Sequence, residues 1–550
     1  MRPRLALLLG ALLAPALPLL TAAPAQAALG TICVGPVPAG TVCNTTRTTI
    51  PLAIADATSG DVIRVGPGTY NDGPYALASG ITLQGSGATG AGATVITLPA
   101  NAAAQPYVTG NNATIRNLRV VMEGASSGSD QGIDVSNGST VISVVVIGSG
   151  SIANATGLHA RSSTVDDATV NLTQGPSNRA VFGEGGNTFT NSTWNGSTGY
   201  VLSSPTGGLD VLSRVTIRGM TGNGPGAWVD AGTIVIDDAL INLGTSTGAG
   251  LRAANPSSAA FSRTVIANHL TIVGGGTGSV GVLADATLPT AQQTSTATLT
   301  NSIVYGPDTS IRAVADNNGS PAANSVATIT TTYTDYEDSE APAAAHGTAT
   351  TTFGDGNLKV NPQFLDPANA NFALRGGSPA SPVIDKGQPG TTPPTVDLNG
   401  DSHFVDGDGN GTKVRDMGAF ELAAAPKTSI ATGPSGLTSD NTPVFTFKSD
   451  TGKTFECQLD GGGFQACSSP VTTTPLPDGP HRFTVRAIDA AFTVEVSPPA
   501  RSFTVDTVAP DARFTKKPPK RFFKQRVKFK FVSNEAGAKF QCQLDNLPWR

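Results

Sequence analysis

Asp134 and His159 are the residues best placed for acid–base work. Each fills the third place of a four-residue block, Gly132-Ile133-Asp134-Val135 and Gly157-Leu158-His159-Ala160. If one block lies on the next, carboxylate and imidazole become neighbours, and the carboxylate can orient the imidazole as a general base. The same place in later blocks holds Trp228 and Arg252, in Gly226-Ala227-Trp228-Val229 and Gly250-Leu251-Arg252-Ala253. An indole face can stack on a sugar ring, and a guanidinium beside it can bind the ring's polar groups. The full column reads Asp134, His159, Val181, Val201, Trp228, Arg252, Leu283 and Arg312. The plain alternative is a solvated surface row with no ligand. His269, in a neighbouring strand, reads as a surface or coil-packing residue.

A second constellation is acidic. Asp397-Leu398-Asn399-Gly400-Asp401 is followed by Asp406-Gly407-Asp408-Gly409-Asn410-Gly411. Asp406, Asp408 and Asn410, with Gly411 at the sharp turn, match the first half of an oxygen-rich calcium loop. The match stops there, because the twelfth position is Met417 and Asp416 falls one residue early. The expectation is a structural Ca2+ held by Asp397, Asn399, Asp401, Asp406, Asp408 and Asn410, fastening the last coil. The alternative is a solvated Asp/Asn/Gly turn. Of the five cysteines, Cys33 and Cys43 are ten apart, as are Cys457 and Cys467, so each pair can close a short loop in an oxidising compartment. Neither pair has zinc-like spacing.

The elements that must position these residues repeat. Gly-apolar-x-apolar recurs at Gly132, Gly157, Gly199, Gly226, Gly250 and Gly281, with weaker copies from Arg179 and Ser310, at an average step of about 25 residues. Each copy is followed by a second run of Val, Ile, Thr and Leu, often ending in Gly, as in 211–219 and 264–274. Short alternating strands separated by Gly, Asn and Ser turns, with almost no helical periodicity, describe the coils of a parallel β-helix. Eight coils at the strand spacing give a rod ~40 Å long. A β-sandwich would space its turns every 8–12 residues or so. Composition agrees: 64 Gly in 550 residues suit coil corners, and charged residues are only 14%. With 39% apolar residues and a net charge of −5, the chain is not a disordered one.

The stretch Ile54-Ala55-Asp56-Ala57, then Gly60-Asp61-Val62-Ile63-Arg64-Val65-Gly66-Pro67-Gly68-Thr69-Tyr70, resembles the opening of pectate-lyase-like right-handed β-helix proteins, where a short amphipathic helix caps the coils. Asn361-Pro362-Gln363-Phe364, Ser378-Pro379-Ala380, Ile384-Asp385-Lys386-Gly387 and Arg415-Asp416-Met417-Gly418-Ala419-Phe420-Glu421 resemble the end of the choice-of-anchor Q family of exported bacterial β-helix proteins. Beyond Glu421 the pattern changes. Phe455-Glu456-Cys457-Gln458-Leu459-Asp460 and Asp478-Gly479-Pro480-His481-Arg482-Phe483-Thr484-Val485 resemble bacterial Ig-like surface repeats, and Phe540-Gln541-Cys542-Gln543-Leu544-Asp545 restates the first block. The partner of Cys542 would fall near position 552, so the sequence reads as ending inside a second repeat. The expected fold is all-β, a right-handed parallel β-helix with C-terminal Ig-like β-sandwich modules. Its parts are a signal peptide over 1–27, a β-helix with both caps over 28–422, an Ig-like domain over 423–508 and the start of another over 509–550.

Proteins of the pectate-lyase-like superfamily often degrade polysaccharides. A glycosidase needs two carboxylates within about 5–9.5 Å. The pairs Asp166-Asp167 and Asp237-Asp238 occupy similar places about three coils apart, ~14 Å, and do not cooperate. The polygalacturonase-like blocks Asn-Thr-Asp, Gly-His-Gly and Arg-Ile-Lys are missing, and no acidic cluster for a lyase's calcium lies beside a basic residue within the coils. The sequence therefore favours a protein that binds glycan or cell-wall polymer without cleaving it. The competing expectation is a polysaccharide lyase or glycoside hydrolase.

The N-terminus fits that setting. Arg2 and Arg4 precede an apolar stretch over 5–20, and Ala25-Gln26-Ala27 is a small-x-small cleavage site, so the chain reads as secreted or displayed on the cell surface. No later stretch has the ~18 apolar residues of a membrane span. Residues 516–530 hold eight basic side chains, which read as the charged face of a strand or as a patch attracted to anionic wall polymers or a membrane surface. Nucleic acid is not an expected partner of an exported chain.

Overall fold

The computed structural model describes residues 30–98, 106–123, 130–149, 152, 154–172, 177–254, 261–287, 292–316, 325–390, 396–521 and 526–550. The signal-peptide expectation over 1–27 lies outside them. The chain divides into two compact units, one running to Arg375 and resuming over Pro379–Ala424, the other comprising Gly376–Ser378 and Ala425–Arg550.

The first unit is a right-handed parallel β-helix. One face is a ladder of short strands: Gln131–Ser136, Thr156–Ala160, Arg179–Gly183, Thr198–Ser203, the start of Ala227–Asn242, Ala249–Ala253, Val280–Thr287 and Thr309–Asp316, each parallel to the next. A second ladder of longer strands includes Thr140–Ser149, Thr164–Leu172, Thr188–Gly196, Leu209–Arg218 and Ser262–Val273. Its strands bend midway at one residue per coil. Asn117, Ser143, Asp167, Asn191, Arg214, Asp238, His269, Asn301 and Tyr333 follow one another in register, all with φ between 47° and 57°. Asn and Asp tolerate this left-handed region better than other non-glycine residues. The bend gives each coil its third side. Asp166-Asp167 and Asp237-Asp238 sit at this corner, three coils apart as the spacing implied.

Register explains the repeated motif. Ile133, Leu158, Val181, Tyr200, Ala227, Leu251, Val282 and Ile311 stack rung on rung, all essentially inaccessible. The leading glycine is set by close approach, not by φ. A Cβ on Gly226 would lie 2.4 Å from Ile241 Cγ2 and 2.7 Å from the Gly250 carbonyl oxygen of the next coil. Aromatics fill part of the core: Phe189, Trp194 and Tyr200 pack with centroids 5.3–5.6 Å apart. The helix Ile50–Asp56, capped by the Thr49 hydroxyl, buries Ile50 and Ala53 at the N-terminal end.

After the last coil strands, Ala343–His346 and Thr348–Phe353, the chain of the first unit returns along the side of the coils. Phe372 packs with Leu240 and Val273, joined by Phe364, Leu398 and Phe420. The Gly418 and Ala419 N–H groups donate to the Asn301 carbonyl and the Thr271 hydroxyl, at 2.7 and 2.9 Å.

The second unit contains a small β-sandwich. A three-stranded sheet (Thr428–Thr432, Val444–Ser449, Val471–Thr472) faces a five-stranded one built around Gly479–Ile488. Phe445, Phe447, Phe483, Val485, Phe503 and Val505 fill its core, with Phe445 and Phe483 stacked at 4.1 Å. Disulfides join Cys33 to Cys43 and Cys457 to Cys467, with Cα atoms 5.7 and 5.8 Å apart; Cys542 is exposed and free. Within 526–531 the strand begins only at Lys530, pairing with Ala512–Lys516.

Candidate functional site

The short-strand face carries the column foreseen from the repeat, with one correction. Asp134 pairs in register with His159, but His159 pairs with Phe182. Val181 faces the core, fully buried, because the block there begins at Ala180 and not at Arg179. The outward row is therefore Asp134, His159, Phe182, Val201, Trp228, Arg252, Leu283 and Arg312.

Asp134 and His159 do meet, in a wider group than the sequence suggested. Arg161 Nη2 donates to Asp134 Oδ1 at 2.6 Å, and His159 Nδ1 lies 3.5 Å from the same oxygen. His159 Nε2 is 3.0 Å from Glu184 Oε1, which is 3.8 Å from Arg161 Nη1. Arg161 and Glu184 follow their strands at the same corner of consecutive coils, fixed by backbone bonds from Arg161 N to the Val135 carbonyl and from Glu184 N to the Ala160 carbonyl, 2.9 and 3.0 Å. Lying just past the periodic block, they carry no repeat signature. Burial and the Arg161 charge lower the His159 pKa against the pull of Asp134 and Glu184, so the ring is neutral at pH 7. Phe182 packs on it at 5.0 Å, with the Arg179 guanidinium 5.3 Å over the phenyl ring.

Trp228 and Arg252 are also brought together: the guanidinium lies 5.2 Å from the indole centroid. Trp228 Nε1 donates to the Ala254 carbonyl at 2.6 Å, which pins the ring. From Asp134 to Arg252 the row spans five rungs, ~24 Å. A shallow hollow of 350 Å³ in the second unit is lined by Asp460, His481 and Phe503. Its imidazole is already held by Asp460 and the Pro477 carbonyl, at 2.7 and 2.8 Å, so the row on the first unit is the richer surface for recognition.

The returning segment builds two further clusters. In the first, His403 Nε2 donates to Asp238 Oδ1 at 2.5 Å, its Nδ1 lies 3.5 Å from Glu421 Oε2, and its ring stacks on His269 at 3.9 Å. All four side chains are buried, so His269 is covered by the returning segment instead of facing solvent. Burial raises Asp238 to about 7 and lowers His269 to about 4. Burial opposes the charge on His403, but the Asp238 and Glu421 carboxylates outweigh it and raise its pKa to about 9. The stacked rings direct their nitrogens along parallel planes, a poor arrangement for converging on one metal ion. The cluster is an ionic fastening between residues far apart in sequence.

The second cluster is acidic. Asp397, fully buried, spends its oxygens on the N–H groups of Asn399, Asp401 and Glu421, at 2.8–2.9 Å, which folds the 397–401 turn. The expected six-residue ligand set does not come together. Among the described residues, it is Asp385 that joins Asp406 and Asp408, with one carboxylate oxygen from each within 4.8 Å of the others. Asp416 accepts from the N–H groups of Asp385 and Leu422, both at 2.7 Å, and so positions Asp385.

No family model and no curated protein sequence matches the chain. Among solved structures it is similar to the pectate lyase Pel9A, with TM-score 0.41, 15% identity, and 72% of this chain and 97% of that one covered. A second is the catalytic unit of a GH87 α-1,3-glucanase from Streptomyces thermodiastaticus, at 0.38, 18%, 56% and 64%, so the chain spans less than two thirds of that unit. A third is the A-module of the Azotobacter vinelandii mannuronan C-5 epimerase AlgE4, at 0.26, 13%, 56% and 91%. These likenesses concern the path of the chain and bring no activity to it.

Proposed function

We propose that this chain binds a polysaccharide along the outward row of its short-strand face and holds it without cleaving it. The observation that carries the reading is the alignment, on one ladder, of two aromatic–guanidinium pairs, Phe182 with Arg179 and Trp228 with Arg252, the Trp228 ring being pinned by its bond to Ala254. The carboxylates of Asp134 and Glu184 flank the same row. Aromatic faces stack on sugar rings and charged groups take hydroxyls, at little entropic cost when already immobilised. In the neutral ring Nε2–H donates to Glu184 and the Nδ1 lone pair lies 3.5 Å from Arg161 Nη1, a donor, so it is not left open toward a substrate for proton abstraction. The two disulfides, and the lack of any membrane-length apolar helix among the described residues, are consistent with an extracellular setting. In the fuller form of the proposal the chain is an exported surface protein of the choice-of-anchor Q type, and its C-terminal unit is an Ig-like spacer.

The second reading, a lyase or hydrolase, rests on Asp134 and Glu184 bracketing His159. Incubation with a panel of polysaccharides, followed by assays for new reducing ends and for absorbance of unsaturated products, separates the two. Binding without products is expected, and Trp228→Ala should weaken it ~10-fold, the effect of losing one stacked aromatic anchor. Unchanged affinity in that variant would remove the row from consideration. Products that vanish in His159→Ala would establish the enzymatic reading instead.

A further inference from the structure

We infer that Asp385, Asp406 and Asp408 form a binding site for one calcium ion, assembled from two separate segments of the returning chain and independent of the polysaccharide row. One carboxylate oxygen from each lies within 4.8 Å of the other two. Oxygens bound to one cation at a Ca–O distance of ~2.4 Å are at most ~4.8 Å apart, and the three carboxylates meet that limit. The Asp385 side chain is 8% exposed and its Oδ1 has no hydrogen-bond partner, while its Oδ2 accepts from Asp408 N at 2.9 Å. Asp406 Oδ1 is likewise buried without a partner. Two unsatisfied carboxylate oxygens facing a third carboxylate are costly without a cation between them.

The donors are all oxygen, which excludes a soft metal and suits a hard one. The surrounding loop is already shaped. Gly411 N donates to Asp406 Oδ2 and Asn410 N to Asp408 Oδ1, both at 3.0 Å, and Gly411 takes a φ of +92°. The partial sequence match to a calcium loop ended where a bidentate carboxylate was needed. Asp385, 23 residues before Asp408, adds a single carboxylate oxygen from outside the loop, its Oδ2 being taken by the Asp408 N–H, with Asp416 gripping its backbone N–H. Asp397 and Asp401 have no part in the site.

The test is calorimetric titration of CaCl2 into the chelator-treated full chain. One equivalent should bind, and Asp385→Asn or Asp406→Asn should weaken it at least ~10-fold, as expected for loss of a charged ligand. Asp408→Asn, on an exposed side chain, checks the result in a variant whose packing is undisturbed. Asp401→Asn should leave the affinity unchanged. Equal calcium affinity in wild type, Asp385→Asn and Asp408→Asn, or loss in Asp401→Asn alone, would overturn the assignment, as would the absence of any uptake by the wild-type chain. Either result would leave the polysaccharide proposal standing.

Discussion

At the scale of single residues, the buried His403 is a group on whose protonation the fold depends. Its pKa, about 9 in the folded chain, exceeds the ordinary value of 6.5, so the stability it contributes is complete below about 6.5 and is lost as pH rises through 9. Asp238, raised to about 7, also binds its proton more tightly in the folded chain, and lowers stability as pH climbs from about 4 to 7. His269, lowered to about 4, acts in the opposite sense over 4 to 6.5. Between pH 7 and 9 only the His403 effect of these three remains. The melting temperature should therefore fall across that interval, by an amount corresponding to on the order of 2 kcal/mol. His403→Gln should melt lower at pH 7, by ~3 kcal/mol, because it leaves buried carboxylates without their cation, and should show a flatter profile from 7 to 9. Melts followed by circular dichroism at each pH test this; a slope equal to that of wild type would assign the pH response elsewhere. The pairing itself links positions 165 residues apart, at a strand corner and in a returning loop. No periodicity connects such positions, which is why His269 reads from sequence only as a surface or coil-packing residue and its partner His403 goes unseen.

At the scale of elements, the coil is governed by contact between its sides. The Gly226 Cα faces Ile241 across the coil and the Gly250 carbonyl along it, so Gly226→Ala must push a strand aside. A cost of ~2–3 kcal/mol is expected, as for other overpacked cores. Gly222→Ala, where a Cβ meets nothing within 4 Å but φ is +58°, should cost only ~1 kcal/mol of backbone strain. Thermal or denaturant unfolding ranks the two, and a milder effect at Gly226 would contradict the close-approach account of the repeat. That same steric demand made the fold legible in advance, since it writes a glycine into most of the coils. The register of Asp134 with His159 and of Trp228 with Arg252 followed from it directly. Where the mark fails, so does the reading. Ala180 replaces the glycine, which hid Phe182; Arg161 and Glu184 stand past the block; and Asp385 reaches its loop from a segment with no calcium signature of its own.

At the scale of the whole molecule, charge is unevenly spread along a chain whose net value is only −5. Residues 501–550 contain 12 basic and 4 acidic side chains, so the remainder is acidic. An anionic polymer would be repelled by the acidic bulk and drawn to the basic stretch, and a neutral polymer would respond to neither. Interactions between exposed charges are screened over ~8 Å at physiological ionic strength and over ~3 Å at 1 M. Attraction through the basic stretch must therefore weaken steeply with salt, whereas stacking on Trp228 and Phe182 must not. Retention on immobilised polygalacturonate should fall at least ~10-fold between low and physiological salt. A chain ending at residue 508 should lose that retention and keep its affinity for whichever neutral polysaccharide the full chain binds. If the shortened chain were held by the anionic polymer as strongly as the full one, the basic stretch would have no part in adhesion. Its charged side chains would then serve only to keep the Ala512–Lys516 and Lys530–Ser533 hairpin solvated.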